Sequence, residues 1–279
     1  MLIEKIRNQL LLENEEPHEK TSFWPSEAET NVFDVYHRWI GTPPTNPIEP
    51  EKLVMFQAAK MIEVALVERL KKSCTFCVPI NGDQHRVEME REGVKVTGYI
   101  DALIEENGVK IPVEVKTIYG DHQAKELTKC NPRSSYLKQL AIYMDFLNVD
   151  SGILFYMERG TGQTWEFELK RNGSVFTCSQ ISFDLNDMYK RWARLYKNNI
   201  LPKVEPKSEF KYKYPIEDIV KASKSDITAA RMNRAVYGDW QVKYSPYKDL
   251  IIEREGCGLG YSSEEIERIK ELTKGYSTK

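Results

Sequence analysis

The sequence lacks the features that would place it in a membrane or in a disulfide-linked secreted class. No apolar run in its 279 residues approaches the roughly 20 residues of a membrane span, and the start of the chain has no secretory apolar region. The five cysteines are odd in number and scattered, which does not fit a disulfide framework. Cys74-x-x-Cys77 lacks the second pair of ligands that a zinc site needs. We therefore predict a cytoplasmic protein with no membrane contact.

A strong net charge is missing as well. Lysine and arginine number 40 against 42 aspartates and glutamates, which gives a formal net charge of −2 at pH 7. A polyanionic partner would therefore have to meet a local basic patch, with metal ions offsetting part of its phosphate charge. The sequence also contains no P-loop of the kind that powers a helicase, and no internal repeat.

The most informative stretch is residues 94–116, in which two alternating apolar runs are joined by Asn107-Gly108. This dipeptide favours a two-residue type I′ hairpin, because both of its residues need a positive φ. The first run carries Asp101, and a period of two places Glu114 and Lys116 of the second run on one face of a strand. Carboxylates grouped beside a lysine predict a site for Mg²⁺ or Mn²⁺. A surface salt bridge between the glutamate and the lysine is the alternative.

The residues around this glutamate suggest how such a site would work. The backbone carbonyl of Val115 is a further candidate ligand, because it lies between Glu114 and Lys116 in the chain. Lys116 would orient or deprotonate a metal-bound water and would stabilise the charge that develops on phosphorus. A neighbouring dication would lower the pKa of this ammonium, which favours a role as base.

Two predicted helices supply further polar groups. The first covers residues 51–72 and has an apolar stripe at helical spacing, formed by Met55, Ala59, Ile62 and Leu66. Glu63 lies beside that stripe and, taken alone, is more typical of a surface glutamate. In the second helix, residues 136–147, Gln139 and Tyr143 are four residues apart and share one face. An amide and a phenol in that arrangement can orient the lysine and contact a phosphate or a base.

Taken together, these motifs resemble those of the RecB-type branch of the PD-(D/E)XK nuclease superfamily, which includes lambda-type exonucleases, the AddB nuclease domain and the CRISPR-adaptation Cas nucleases. The matching motifs are Gly98-Tyr99-Ile100-Asp101, Glu114-Val115-Lys116 and Gln139-x-x-x-Tyr143. Residues 59–64 resemble the family's helical pattern of a small residue followed by His or Glu, with Glu63 in the acidic place. The resemblance covers about residues 50–170. One departure is Pro112-Val113, where relatives sometimes carry an acidic residue that Asp101 would replace here.

The resemblance implies a metal-dependent DNA nuclease. Its implied ligands for Mg²⁺ or Mn²⁺ are three carboxylates and one carbonyl: Glu63, Asp101, Glu114 and Val115. It implies that Lys116 activates or positions water, and its implied substrate-contacting residues are Tyr136, Gln139 and Tyr143. We expect an exonuclease that processes DNA ends, with DNA and recombination, repair or replication proteins as partners. The alternatives are a structure-specific endonuclease and a non-catalytic DNA-binding or scaffold subunit.

A second resemblance concerns missing cysteines. Several relatives bind an iron–sulfur cluster through one early cysteine and a late C-x2-C-x5-C motif. Residues 240–251 look like that late motif, with Val242, Ser245 and Ile251 at the cysteine positions. Residues 25–36 are similar to the segment with the early cysteine and also lack one. Because iron–sulfur ligation needs thiolates, we predict no cluster here and expect side-chain packing to close the same region.

The order of predicted elements is helix, strand meander, helix, strands and helix. This order predicts an α/β protein with a central mixed β-sheet flanked by helices, like the restriction-endonuclease-like core of the family. We divide the chain into an N-terminal helical segment (1–49) that packs on the core, a nuclease core (50–200) and an irregular C-terminal appendage (201–279). Strands are expected at residues 75–80 and 84–91, and an irregular segment after Lys116.

Overall fold

The computed structural model describes residues 2–15, 20–79, 84–200, 205–209, 242, 244–255 and 262–272. The helices of these ranges are α1 (Leu2–Glu15), α2 (Val32–Trp39), α3 (Pro50–Ser73), α4 (Asp121–Thr128), α5 (Ser134–Leu147), α6 (Leu185–Ile200), α7 (Lys248–Glu255) and α8 (Ser263–Leu272), with a short 3₁₀ helix at Pro25–Glu27. The strands are β1 (His85–Arg91), β2 (Val94–Ile100), β3 (Ala102–Glu106), β4 (Val109–Ile118), β5 (Ser151–Glu158), β6 (Thr164–Asn172), β7 (Val175–Cys178) and β8 (Ile181–Asp184). None of the described helices is both long enough and apolar enough to cross a bilayer.

The main sheet contains six strands in the order β3-β4-β5-β6-β7-β8. Strands β4 and β5 are parallel, whereas the other neighbouring pairs are antiparallel. Strands β1 and β2 form a separate antiparallel ribbon. The predicted α/β class with a mixed sheet is therefore confirmed.

Helices cover both faces of the sheet at β4 and β5, as predicted. On one face, Val115 of β4 lies in a buried apolar cluster with Leu66 of α3. On the opposite face, Gly152 of β5 lies so close to α5 that an added Cβ would be 2.8 Å from Met144 Sδ. Because side chains alternate along a strand, this arrangement turns Glu114 and Lys116 towards α5.

The chain forms two compact units. The first contains Met1–Thr30 and Glu49–Lys203, which include the sheet, and the second contains Asn31–Ile48 and Val204–Lys279. The sequence had grouped residues 31–48 with the N-terminal helical segment. In the structure they belong with the C-terminal residues, because α2 finds its apolar partners there.

Two apolar partners of α2, Val242 and Ile251, stand at positions that the sequence resemblance matches to cysteines. Phe33 of α2 packs with Val242, Tyr247 and Ile251 in one buried cluster. Ser245 is buried too, and its hydroxyl donates a hydrogen bond to the carboxylate of Asp34 at 2.6 Å. Val242 and Ile251 are therefore held by apolar packing, and Ser245 by a buried hydrogen bond. Trp240, which belongs to the same sequence motif, lies outside the described residues.

Several local predictions differ from the structure. Of the strand expected at 75–80, residues 75–79 are described and form only an isolated bridge, from Phe76 to Ile104. The segment after Lys116, expected to be irregular, contains α4, which begins after Gly120 at a φ of 98°. The first run of the predicted hairpin is two strands, because the chain bends at Asp101 between β2 and β3.

The hairpin turn between β3 and β4 and the start of α5 can be compared with what local chemistry favours. Asn107 and Gly108 both have a positive φ, 52° and 78°, as the type I′ prediction requires. Serine is a favoured helix cap, so Ser134 or Ser135 would be expected to cap α5, but the helix begins after Arg133 without a side-chain cap. Ser134 instead donates its hydroxyl to Glu29 at 2.7 Å. A long-range carboxylate therefore takes the hydroxyl that local chemistry assigned to the helix terminus.

The apolar stripe expected on α3 is only partly inside the protein. Ala59, Ile62 and Leu66 are half-buried, whereas Met55 is 50% exposed. The helix reaches the sheet through its C-terminal half, where Leu66 and Leu70 join the cluster against β4. Helical periodicity identified the correct face, but it could not tell how far along the helix the sheet extends.

Candidate active site

The candidate active site is built on the part of β4 that β3 leaves uncovered. Strand β3 pairs with β4 only as far as Val113, so the next outward-pointing N–H groups of that edge have no strand partner. The carboxylate of Asp101 accepts a hydrogen bond from the N–H of Val115 at 3.0 Å. The carboxylate of Glu63 accepts one from the N–H of Thr117 at 3.2 Å. Acids from α3 and from the β2–β3 bend therefore meet on one strand edge.

The same edge carries the carbonyl that the sequence singled out. In a β-strand the N–H and the C=O of one residue project from the same edge, so the Val115 carbonyl points to the side on which Asp101 lies. The second carboxylate oxygen of Asp101 is 3.4 Å from the side-chain amide of Gln84. These groups present several oxygen atoms within a short length of chain.

Glu114 and Lys116 form a buried ion pair on the face of β4 that α5 covers. Glu114 is 0% exposed, and the Nζ of Lys116 is 2.5 Å from its Oε1. Neither oxygen of this carboxylate accepts a well-oriented hydrogen bond from the described residues. The alternative of a solvent-exposed salt bridge is therefore wrong, because the glutamate is fully enclosed.

Burial and neighbouring charges determine the protonation of this pair. Burial raises the pKa of Glu114 above its usual range, Lys116 opposes that shift, and the charges of Asp101 and Glu63 add to it. Burial alone would lower the pKa of Lys116, but the surrounding carboxylates outweigh it and raise that pKa. Lys116 is accordingly held as an ammonium by these carboxylates. The lowered pKa expected beside a dication stays a prediction.

Helix α5 provides the other predicted residues. Gln139 and Tyr143 are both buried, and the Gln139 amide donates a hydrogen bond to the Tyr143 hydroxyl oxygen at 3.2 Å. Burial raises the pKa of Tyr143 well above its usual value, and the charge of Glu114 adds to the shift. The ammonium of Lys116 lies 5.2 Å from the ring centroid of Tyr136. All three α5 residues are thus close to the ion pair on β4.

Two clefts meet at Asp101. The larger has a volume of about 450 Å³, and its lining includes the ion-paired lysine and the α5 pair: Asp101, Lys116, Gln139 and Tyr143. The smaller, of about 300 Å³, is lined by Glu63 and also by Asp101. Lys60 and Gln84 line both clefts. Glu63 and Lys116 therefore open into neighbouring spaces that share Asp101 as their boundary.

The oxygen atoms of this site are of the type that binds a hard divalent cation, but the side chains are not arranged tightly around a single point. Within the ranges that the structure describes, no three Asp, Glu, His or Cys side chains are grouped tightly enough to hold a metal ion. Carboxylate and carbonyl oxygens are nevertheless the ligands that Mg²⁺ and Mn²⁺ prefer. Glu114 is fully buried beside two other acids, and a bound cation would relieve the part of that cost that Lys116 does not offset.

The structure adds cleft residues that the motifs did not identify: Trp24, Pro25, Lys60, Arg86 and Tyr99 all line the larger cleft. Tyr99 stands in the quoted motif, but only as a spacer. Lys60 and Pro25 likewise stand in quoted segments without an assigned role, and no motif contains Trp24 or Arg86. The residues that line a cleft come from segments that are distant in sequence, so local periodicity does not predict them.

Gly98 allows one of these segments to approach β2. An added Cβ at this position would lie 2.8 Å from two ring carbons of Pro25. We expect Gly98→Ala to displace the residue 24–26 loop and to lower the free energy of unfolding by about 1–3 kcal/mol. Denaturant titration would measure this loss. A matched control is Gly93→Asn, in an open turn with a φ of 75° that asparagine tolerates. Equal stability of the two variants would contradict the steric argument.

Comparison with known proteins adds little to this picture. No family model and no curated protein matches the chain. Among solved structures, the crystal structure of SSO0001 is similar, with a TM-score of 0.45 and 18% identity, over 83% of this chain and 97% of that chain. A likeness this low assigns neither a fold nor an activity.

Proposed function

We propose that the protein is a divalent-metal-dependent DNA nuclease that acts as an exonuclease on DNA ends. The observation that carries the proposal is the meeting of three carboxylates and a lysine on residues 114–117 of β4. The acids come from α3, the β2–β3 bend and β4. Asp101 and Glu63 line clefts with volumes of about 450 and 300 Å³, and the buried Glu114 reaches the larger one through its partner Lys116. Acidic groups repel one another, so their concentration beside open space is a cost that a bound cation would relieve.

Four groups would hold the ion: the carboxylates of Glu63, Asp101 and Glu114, and the carbonyl of Val115. A bound Mg²⁺ or Mn²⁺ supplies Lewis acidity and a lowered pKa for bound water. The protein's own contribution is to place hard oxygens on two sides of one strand segment. Asp101 and Glu63 are already oriented there by the N–H groups of β4.

Lys116 has the second role in the proposal. Its ammonium faces the larger cleft, where it can hold a water molecule and donate a hydrogen bond to a phosphate oxygen as negative charge develops. Gln139 and Tyr143 line the same cleft and support the lysine and the substrate. Tyr136 packs beneath the ammonium and restricts its position, which favours one orientation of the donor.

The first test is a cleavage assay on labelled DNA. Linear DNA labelled at its 5′ or 3′ end and a covalently closed circle are incubated with the purified protein in Mg²⁺ or Mn²⁺, and again in EDTA. We expect short products from the linear ends, an intact circle and no reaction in EDTA. Cleavage that persists in EDTA would contradict the proposed metal dependence.

The same assay separates the alternatives. Nicking or linearisation of the circle would replace exonuclease by endonuclease. DNA that is bound but never cut, with either metal, would favour a non-catalytic DNA-binding or scaffold subunit. The labelled ends also report polarity, because a 5′ label and a 3′ label are released at different stages of a directional reaction.

A further inference from the structure

Two large aromatic rings are exposed at the larger cleft. Trp24 is 37% exposed and Tyr99 is 55% exposed. Single exposed aromatic side chains are ordinary on protein surfaces, but these two line the same cleft as Asp101 and Lys116. The rings and the candidate catalytic groups therefore face one shared space.

Trp24 contacts a buried ion pair formed by Lys20 and Glu27. Lys20 Nζ lies 2.6 Å from Glu27 Oε2, and the side chains are 1% and 2% exposed. The same lysine is 4.1 Å from the centroid of the Trp24 ring, and Glu27 accepts a hydrogen bond from the Trp24 N–H at 3.0 Å. Backbone and ring are thus both held, so little conformational entropy remains to be lost when a ligand stacks on the ring.

Both rings are attached to the same strand. Lys95 and Thr97, the residues on either side of Val96, tie β2 to the Trp24 segment. The Phe23 N–H donates to the Lys95 carbonyl at 2.9 Å, and the Phe23 carbonyl accepts from the Thr97 N–H at 3.0 Å. Tyr99 follows Thr97 on β2, two residues before Asp101. The spacing between the rings and the acidic groups is therefore fixed by the strand.

Basic side chains accompany the rings. Lys60, Arg86 and Lys116 line the cleft, and Arg86 lies directly opposite Tyr99 in the β1–β2 ribbon. Rings interleaved with cations suit a nucleic-acid strand, because bases stack on the rings while phosphates meet the charges. In a duplex the base faces are covered by neighbouring pairs, so only unpaired bases can use such rings.

We propose that Trp24 and Tyr99 form a base-stacking subsite for unpaired nucleotides of the DNA strand whose backbone enters the cleft. The subsite rests on the proposed nuclease function for its biological meaning, but it makes a claim about binding alone. It assigns to these rings a preference for single-stranded over duplex DNA. The basic residues contribute affinity to both forms, because phosphates are present in both.

The test measures binding without cleavage. A short fluorescein-labelled single strand and the matching duplex are titrated with protein in EDTA. We expect Trp24→Ala and Tyr99→Ala each to weaken single-strand binding by about fivefold or more, on the usual scale of one base–ring stack. Duplex affinity should change by less than about twofold, since paired bases do not reach the rings.

Two further variants separate stacking from folding. Trp24→Phe keeps an aromatic ring beside the Lys20–Glu27 ion pair and should retain most of the single-strand affinity. Tyr119→Ala removes a ring that is 67% exposed and packs near Arg159, outside the lining of the larger cleft, and should bind as the parent does. The subsite is overturned if both alanine variants bind the single strand as tightly as the parent, if they lose duplex affinity equally, or if the parent binds no single strand.

These outcomes are independent of cleavage. If the rings govern single-strand binding but the parent never cuts DNA, the nuclease proposal fails and the subsite stands. If the parent cuts DNA in a metal-dependent way and the ring variants bind normally, only the subsite fails.

Discussion

Lys116→Ala is expected to lower metal-dependent DNA cleavage by about 10²–10³-fold or more, the usual effect of losing one preorganised donor to a developing charge. Lys116 lines the larger cleft and is the ion-pair partner of Glu114. Initial rates on end-labelled linear DNA at saturating Mg²⁺ or Mn²⁺ would measure the loss. Asp101→Asn should have a comparable effect, since it removes the charge of a proposed ligand and retains an acceptor for the Val115 N–H.

The loss of activity has to be separated from a loss of folding. Removing Lys116 leaves Glu114 buried without its ion pair, which costs about 3–5 kcal/mol unless the carboxyl group takes up a proton. The double variant Glu114→Gln/Lys116→Met removes both charges, so it should regain stability and remain inactive. Lys110→Ala, at the exposed beginning of the same strand, is the matched control and should cleave normally. Parental cleavage by Lys116→Ala would refute the role assigned to this lysine.

The second large effect is expected in the other compact unit, where two buried groups oppose each other in pH dependence. Burial raises the pKa of Asp34 to about 6, although the Ser245 hydrogen bond and the charge of Arg38 act against it. Burial lowers the pKa of His37 to about 4, and Arg254 adds to that shift. His37 is therefore neutral at pH 7, and its 3.7 Å contact with Glu205 is not an ion pair there.

The signs follow from which state binds protons more tightly. Folding favours the protonated Asp34, so its contribution is complete below pH 3.8 and is lost as pH rises through about 6. Folding favours the neutral His37, so its contribution is complete above pH 6.5 and is lost as pH falls through about 4. Between these limits the Asp34 contribution to the free energy of unfolding falls with rising pH, whereas the His37 contribution rises. The stability of the parent should therefore depend only weakly on pH in this range.

Asp34→Asn should remove the contribution of Asp34 to the pH dependence of stability, so that the contribution of His37 becomes measurable. The amide oxygen can still accept the Ser245 hydroxyl, but the buried charge is gone, so the free energy of unfolding at pH 7.5 should rise by about 3 kcal/mol. At pH 4 the gain should largely disappear, because Asp34 is then protonated in the folded parent. Denaturant titrations between pH 4 and 8 would measure both values. A destabilisation of equal size at every pH would show that the Asp34 carboxylate is needed for packing rather than penalised for its charge.

Some features of the site followed from residues close together in the chain. Asn107 and Gly108 form the turn because they tolerate positive φ, and alternation along a strand puts Glu114 and Lys116 on one side. The four-residue spacing of Gln139 and Tyr143 is sufficient for their side chains to meet on a helix. Each of these results depends on backbone geometry that is set by residues close together in the sequence.

Other predictions failed where remote packing intervenes. The stretch near Phe76 has strand-like composition, yet it contacts β3 only through an isolated bridge and two backbone hydrogen bonds. Met55 shares its helix face with Leu66 but remains half exposed, because the sheet reaches only the later turns of α3. Local pattern gives the direction of a side chain, and the rest of the fold decides what lies there.

The sequence by itself therefore determined the α/β class, the hairpin turn and the placement of Glu114 and Lys116 on one strand face, since these depend on backbone sterics and short periodicities. Only the tertiary structure decided that Glu63 and Asp101 meet the open edge of β4, that Glu114 is fully buried, and that α2 packs with residues from the C-terminal part of the chain. Burial and long-range contact depend on how distant segments share a limited interior, and no local pattern of residues specifies that.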